Sequence, residues 1–168
     1  MWRGTASVML VAMAAAGGRS GDAHTRAPWI RPENAAIRAL IERGMERSAT
    51  FRNVSLRLDD ADLVVYVRFS PCSGGVPACL VLASAGADAR RLLIKIDRFG
   101  RSPDELTALL AHELQHANEV ASDPAITDVA SFQRSFATRG WTHAAGFETE
   151  EAARVSKRVT AELRRPQI

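Results

Sequence analysis

The spacing of hydrophobic positions changes along the chain, and each change predicts a different kind of element. Near the start, Ile37, Leu40, Ile41 and Met45 recur at helical spacing and predict a helix over residues 32–49. Short apolar segments bounded by turn residues then predict four strands, at residues 54–58, 63–69, 78–84 and 92–97. The second of these is almost continuously apolar, as expected of a buried central strand.

Helical spacing returns after residue 102 and predicts three further helices. The first begins at Ser102, with Pro103 in its first turn and Glu105 as the capping-box partner, and it ends before Pro124. The other two are expected at residues 126–138 and 147–164. The order of helix, strands and helices indicates an α+β domain.

The helix that follows Ser102 carries the sequence His112-Glu113-Leu114-Gln115-His116, which fits the pattern H-E-x-x-H. Residues i and i+4 lie one above the other on a helix, so both imidazoles can bind one Zn²⁺ ion at about 2.0–2.1 Å. Glu113 flanks the ion without having to bind it. It can therefore act as the general base that takes a proton from a zinc-bound water.

This motif, within residues 103–120, resembles the active-site helix of the zincin superfamily of metallopeptidases. The resemblance implies a zincin-like fold, with a small mixed or antiparallel sheet of about four strands against the motif helix and a C-terminal helix. It also implies hydrolysis of a peptide bond, with a peptide or protein as substrate. In zincins the edge strand before the motif helix lines the substrate cleft, and that strand would here be residues 92–97.

A catalytic zinc site needs a third protein ligand in addition to two histidines, because such sites combine three protein ligands with one water. Glu148 heads the inward stripe of the predicted last helix. This layout resembles the gluzincin branch of the zincins, whose third ligand is a glutamate on a downstream helix. We therefore expect His112, His116 and Glu148 to bind one zinc ion per chain, with Glu151 as the alternative to Glu148.

Other acids near the motif are weaker candidates for the third ligand. Asp123 and Asp128 follow the motif helix and resemble the zincin branch that uses aspartate. Glu119 lies on the same face of the helix as the motif, but it is roughly 10 Å along the axis from His112. That distance is too large for both residues to bind one ion.

A peptidase also needs a hydrogen-bond donor for the oxyanion that develops during hydrolysis. Apart from His24 near the start, His143 and Tyr66 are the uncommitted histidine and tyrosine of the domain. His143 precedes the last predicted helix by a few residues, so it is the candidate for this catalytic role. A surface or structural histidine is the alternative interpretation.

Residues 1–23 are predicted to be a secretory signal peptide, because a short basic start precedes an apolar, alanine-rich segment and small residues. An uncleaved anchor is the alternative, although the apolar segment is short for a membrane span. Residues 24–168 then form a single domain, in which no segment is apolar enough to predict a stable membrane span.

The two cysteines agree with export to the periplasm or the extracellular space. Cys72 and Cys79 bracket a turn-rich insert between two apolar strands, and a hairpin there would bring them within reach of each other. In an oxidising compartment they are expected to form a disulfide.

Net charge is +3, and the arginines are scattered along the chain without a concentrated basic patch. This distribution argues against a nucleic-acid partner. The expected function is that of an exported zinc-dependent hydrolase, most simply a peptidase. The alternatives are a non-catalytic zincin-fold protein that binds or has a structural role, a zinc transfer or storage module, and a zinc amidase that acts on non-peptide substrates.

Overall fold

A computed structural model of the protein describes residues 29–59, 61–85, 90–143 and 146–166; the predicted signal peptide lies outside them. The strands are β1 (Ile30–Pro32), β2 (Leu63–Phe69), β3 (Ala78–Ala85), β4 (Arg90–Ile96), β5 (Trp141–His143) and β6 (Gly146–Glu148). The α-helices are α1 (Ala35–Arg47), α2 (Ala49–Leu56), α3 (Pro103–Ala121), α4 (Val129–Arg139) and α5 (Glu150–Leu163). A 3₁₀ turn, Ser73–Gly75, separates β2 from β3.

The main sheet has four strands in the order β1-β2-β4-β3, and the prediction of a small mixed sheet in an α+β domain is confirmed. Strands β1, β2 and β4 run parallel, with Val65 of β2 between Ile30 and Leu92, while β3 runs antiparallel to β4. The expectation that residues 92–97 form an edge strand is wrong. Residues 92–96 belong to β4, which lies inside the sheet, and the edge strands are β1 and β3.

Helix α3 is the central element of the fold, because it packs against α1, α2, α5 and the sheet strands β3 and β4. Leu110, Ala111, Leu114 and Ala117 on this helix are fully buried. Its start has the predicted capping box. The Ser102 hydroxyl accepts a hydrogen bond from the backbone N–H of Glu105, and the Glu105 carboxylate accepts one from the backbone N–H of Ser102. The helix therefore presents the motif from a rigid, mid-helix position.

The predicted strand at residues 54–58 is wrong, since residues 54–56 complete α2 and residues 57–58 lie in the turn that follows it. Its alternation of apolar and polar residues is typical of a strand, but Val54 is buried while Leu56 is 50% exposed. Ser48 ends α1 and begins α2, and its hydroxyl accepts a hydrogen bond from the backbone N–H of Phe51. At Gly44 a Cβ atom would come within 2.5 Å of the Phe51 ring, so this glycine permits the two helices to pack closely.

Helix α4 begins at Val129, after the predicted start at residue 126, and two other helices also begin later than the sequence predicts. Pro32 belongs to β1, and α1 begins only after Asn34, which caps it. At the far end of the chain, residues 146–148 form strand β6, and α5 begins after the capping residue Thr149. Glu148 therefore does not head a helical stripe, as the sequence predicted. It ends a strand.

The predicted disulfide joins Cys72 and Cys79, whose Cα atoms are 6.1 Å apart. The hairpin expected between the flanking strands does not form, because β4 lies between β2 and β3 in the sheet. Among the described helices, none has the length and hydrophobicity that a membrane crossing requires.

Arg90 fixes the C-terminal end of α3 to the sheet. Its buried guanidinium donates to the carbonyl oxygens of Val120, at 2.7 Å, and Asp123, at 2.8 Å, and it pairs with the Asp62 carboxylate at 2.5 Å. The last carbonyl groups of a helix have no partner within the helix. A side chain from β4 thus adds hydrogen-bond donors at this end of α3 and connects the motif helix to the sheet.

We expect Arg90→Met to lower the free energy of unfolding by about 3 kcal/mol, because it removes the charged hydrogen bonds that this buried guanidinium donates to the end of α3. The adjacent Arg91 is exposed, and Arg91→Met should change stability by less than about 0.5 kcal/mol. Urea unfolding of both variants gives the comparison. Equal losses in the two would contradict a specific role for Arg90.

Candidate metal centre

Helix α3 places the two motif histidines on one face, next to each other. The Nε2 atoms of His112 and His116 are 3.2 Å apart, and the rings meet edge to face. Both side chains are mostly buried, with 16% and 6% of their surfaces exposed. The i, i+4 spacing of the sequence has therefore produced the convergence that a shared ion requires.

Glu148 reaches the histidines from the short β5–β6 hairpin. Its Oε1 atom lies 3.4 Å from His112 Nε2 and 3.9 Å from His116 Nε2. The backbone N–H of Thr149 donates to the same oxygen at 2.9 Å and fixes the carboxylate. The structure brings the residue predicted as third ligand close to the two histidines, although it does so from a strand and not from the predicted helical stripe. The ligand role of Glu148 stays a prediction.

The geometry of these three residues suits a tetrahedral divalent ion. With bonds of about 2.0–2.1 Å, neighbouring ligand atoms of a tetrahedral zinc site lie about 3.3–3.4 Å apart. The three separations here are 3.2, 3.4 and 3.9 Å. Small side-chain adjustments would equalise them, so the cluster of His112, His116 and Glu148 could hold a metal ion.

Glu113 lies beside the cluster, almost fully buried. Burial raises the pKa of this carboxyl to about 7; the charge of His116 opposes the rise, and the charges of Glu148 and Glu119 add to it. A group with a pKa near neutrality can both accept and return a proton. Glu113 therefore has the properties of a general base and acid next to the cluster.

The pKa values of the two histidines shift in opposite directions. Burial, together with the nearby His116, lowers the pKa of His112 to about 4, so this ring is neutral near pH 7 and offers a lone pair. Burial also disfavours the charged form of His116. Its hydrogen bond with Glu119 and the surrounding carboxylates nevertheless raise its pKa above the usual value.

The cluster opens onto a cavity of about 590 Å³. One wall is residues 76–82, which include the first half of edge strand β3, and His112, Glu113, His116 and Glu148 also line the cavity. The rest of the lining is largely apolar and consists of Leu109, Val129, Phe132, Gln133, Phe136 and Phe147. The cleft wall predicted for residues 92–97 is thus supplied by β3, since β4 is covered on both sides by other strands.

The remaining sequence candidates lie in other surroundings. The side chain of Glu151 is 43% exposed and pairs with Arg154, away from the cluster. Asp123 accepts from Ser135 and pairs with Arg139, at 2.7 Å each.

Asp128 caps helix α4, so it has a local structural role like that of Asp123. Tyr66 lies on β2 and is 44% exposed. His143 ends strand β5, where it pairs with Gly146, and its catalytic role stays a prediction.

Sequence reasoning excluded Glu119 as a ligand and missed its other role. Its Oε2 atom lies 2.9 Å from Nδ1 of His116, on the side of the ring opposite the cluster. An acid three residues after the second motif histidine is the sequence signal for this contact, because positions i and i+3 adjoin on a helix.

Comparison with known proteins identifies no relative: no protein-family model, no curated protein and no solved structure matches this chain. The assignment of function therefore depends on the site itself.

We expect Glu148→Ala to weaken zinc binding by more than tenfold, since it leaves two protein ligands, while Glu151→Ala should leave the affinity within about twofold. The test is competition against a chromogenic chelator with the folded, metal-free proteins. Equal losses in the two variants, or a loss confined to Glu151→Ala, would refute the ligand assignment.

Gly140 lies in close contact with the backbone of Glu148. A Cβ atom at this position would overlap the carbonyl oxygen of Glu148. We expect Gly140→Ala to displace β6 and weaken zinc binding by about tenfold or more, as loss of ligand orientation does. Gly44→Ala, which also creates an overlap but in the α1–α2 contact, is the control. Gly44→Ala should lower the melting temperature and keep the zinc affinity. If instead Gly140→Ala keeps the zinc affinity and Gly44→Ala loses it, a role for Gly140 in positioning Glu148 is excluded.

Proposed function

We propose that the protein is an exported zinc-dependent peptidase with a zincin-like fold and a gluzincin-like site. One observation carries the proposal: the ligand atoms of His112, His116 and Glu148 meet at one point, and the buried Glu113 borders the same cavity. Two neutral nitrogens and one carboxylate oxygen are a donor set that zinc favours in catalytic sites. The same four residues line the cavity, so a substrate bound there would lie beside the cluster.

A zinc ion bound there would supply Lewis acidity, which polarises the scissile carbonyl and lowers the pKa of the attacking water. Glu113 would be the group that accepts a proton from a water in the cavity and returns it to the leaving amine nitrogen. Its burial suits both steps, because a pKa of about 7 balances proton uptake and release near neutral pH. His143 is our candidate donor to the oxyanion.

A peptide substrate is favoured by the strand that borders the cavity. Within the described chain, β3 pairs with β4 on one side only and leaves its outer edge available. An extended peptide can add to such an edge through main-chain hydrogen bonds, and pockets beside it then select side chains. Phe132, Phe136 and Phe147 make the neighbouring pocket suitable for a large apolar side chain.

The disulfide supports an exported location, because such bonds persist in oxidising compartments and are rare in the cytosol. The signal peptide that we propose for residues 1–23 would direct this export. In its mature form the protein would act on peptide or protein substrates in the periplasm or outside the cell.

The test is metal analysis of the purified protein together with a peptide-library digest read by mass spectrometry. Wild type should contain about one zinc per chain and cleave beside large apolar residues. Glu113→Gln should keep the zinc and lose about a hundredfold or more in turnover, because it removes the base but no ligand.

Glu150→Gln, at an 82% exposed carboxylate, is the matched control and should retain activity. Cleavage that persists in Glu113→Gln would reject the mechanism. Bound zinc with no cleavage of any peptide would favour a non-catalytic protein, and hydrolysis restricted to non-peptide amides would favour an amidase.

A further inference from the structure

Glu119 is a largely buried carboxylate on α3 that uses both of its oxygens next to the metal centre. One oxygen contacts Nδ1 of His116 at 2.9 Å. The other accepts from the hydroxyl of Thr149 at 2.8 Å and from the amide of Gln115 at 3.3 Å. Thus Glu119 connects the motif helix with the residue that follows Glu148.

The contact with His116 determines which ring nitrogen faces the cluster. A carboxylate acceptor at Nδ1 keeps the proton on that nitrogen, so the lone pair is on Nε2. That Nε2 atom is the one that lies 3.2 Å from His112 and 3.9 Å from Glu148. Without Glu119 the imidazole could rotate or change tautomer, and fewer molecules would offer the correct nitrogen.

The contact with Thr149 determines where Glu148 lies. The Thr149 hydroxyl has one proton, which it donates to Glu119, and its lone pair accepts the backbone N–H of Ala152 at 3.2 Å. With its side chain held in this way, the backbone N–H of Thr149 donates to Glu148 Oε1 at 2.9 Å. A single acid therefore orients one ligand directly and another through its neighbour.

We infer that Glu119 is a positioning residue that holds both His116 and Glu148 in the geometry required for metal binding. The inference rests on the proposed zinc site and adds to it a coupling between ligands from two separate elements. It predicts that removing the carboxylate weakens metal binding even though every ligand remains.

Substitutions at Glu119 and at Thr149 test the two contacts of the Glu119 carboxylate. Glu119→Gln keeps the size of the side chain but replaces one carboxylate oxygen with an NH₂ group, which donates and cannot accept. That NH₂ group would face either His116 Nδ1 or the Thr149 hydroxyl, so one of these two donors loses its acceptor. Thr149→Val removes the hydroxyl at nearly constant volume, whereas Thr149→Ser retains it. We expect zinc affinity to fall about 10- to 100-fold in Glu119→Gln, to fall less in Thr149→Val, and to stay near wild type in Thr149→Ser.

Chelator competition on folded, metal-free protein measures these affinities without requiring activity, and the visible spectrum of the cobalt-substituted protein reports ligand geometry. Because both variants interrupt one pathway, Glu119→Gln combined with Thr149→Val should lose less affinity than the product of the two single losses.

Glu162→Gln is the structural control. This acid accepts from Ser48 and Thr50 on a different face of the fold, so its loss should lower the melting temperature and leave zinc affinity unchanged.

Tight zinc binding by wild type with unchanged affinity in Glu119→Gln and Thr149→Val would overturn this inference and leave the proposed function intact. Absence of zinc binding by wild type would overturn both. If Glu119→Gln does not fold, the zinc affinities of Thr149→Val and Thr149→Ser are compared instead. Equal affinities in these two variants would exclude the proposed coupling between Glu119 and Glu148 through Thr149.

Discussion

Buried negative charge is the constraint on which the rest of the structure depends. Glu113, Glu119 and Glu148 surround two imidazoles, and among the described residues no lysine or arginine forms an ion pair with any of the three. Carboxylates removed from water in this way are destabilising unless a cation or several donors face them. Glu119 has donors in His116 and the Thr149 hydroxyl, and Glu148 has one in the Thr149 backbone N–H. Burial raises the pKa of Glu113 to about 7. The cluster therefore has the electrostatic character of a cation site.

The fold meets this constraint by fixing both ends of the helix at its centre. The capping box at Ser102 holds the start of α3, and Arg90 holds its end, so the motif cannot shift along the axis. The fully buried Leu110 and Leu114 on the other side of the helix anchor it in the core. Carboxylates and imidazoles can then remain close together because the elements that carry them cannot relax apart.

Local sequence patterns predicted the parts of this site that lie within one helix. The helix signals at Ser102 and the spacing of His112 and His116 depend on neighbouring residues alone. The position of Glu148 depends instead on a hairpin and on close backbone contact at Gly140, which periodicity cannot reveal. For the same reason residues 54–58 resembled a strand: the packing of Phe51 against Gly44, a tertiary contact, favours the helix there. The edge position of β3 likewise depends on strand order, which spacing along the chain does not encode.

If the proposed metal binds, the hairpin that carries Glu148 would couple metal binding to local folding. Strands β5 and β6 have three residues each and form a sheet of their own, and a two-stranded sheet of this length has little stability alone. A metal bound by Glu148 and the α3 histidines would join the hairpin to the most buried helix of the protein. The free energy of metal binding would then include the cost of ordering the hairpin, as it does wherever a site is completed on binding. Contacts such as Glu119–Thr149 that order Glu148 in advance would reduce that cost. By the inference above, a residue that touches no metal would then influence the affinity of the site.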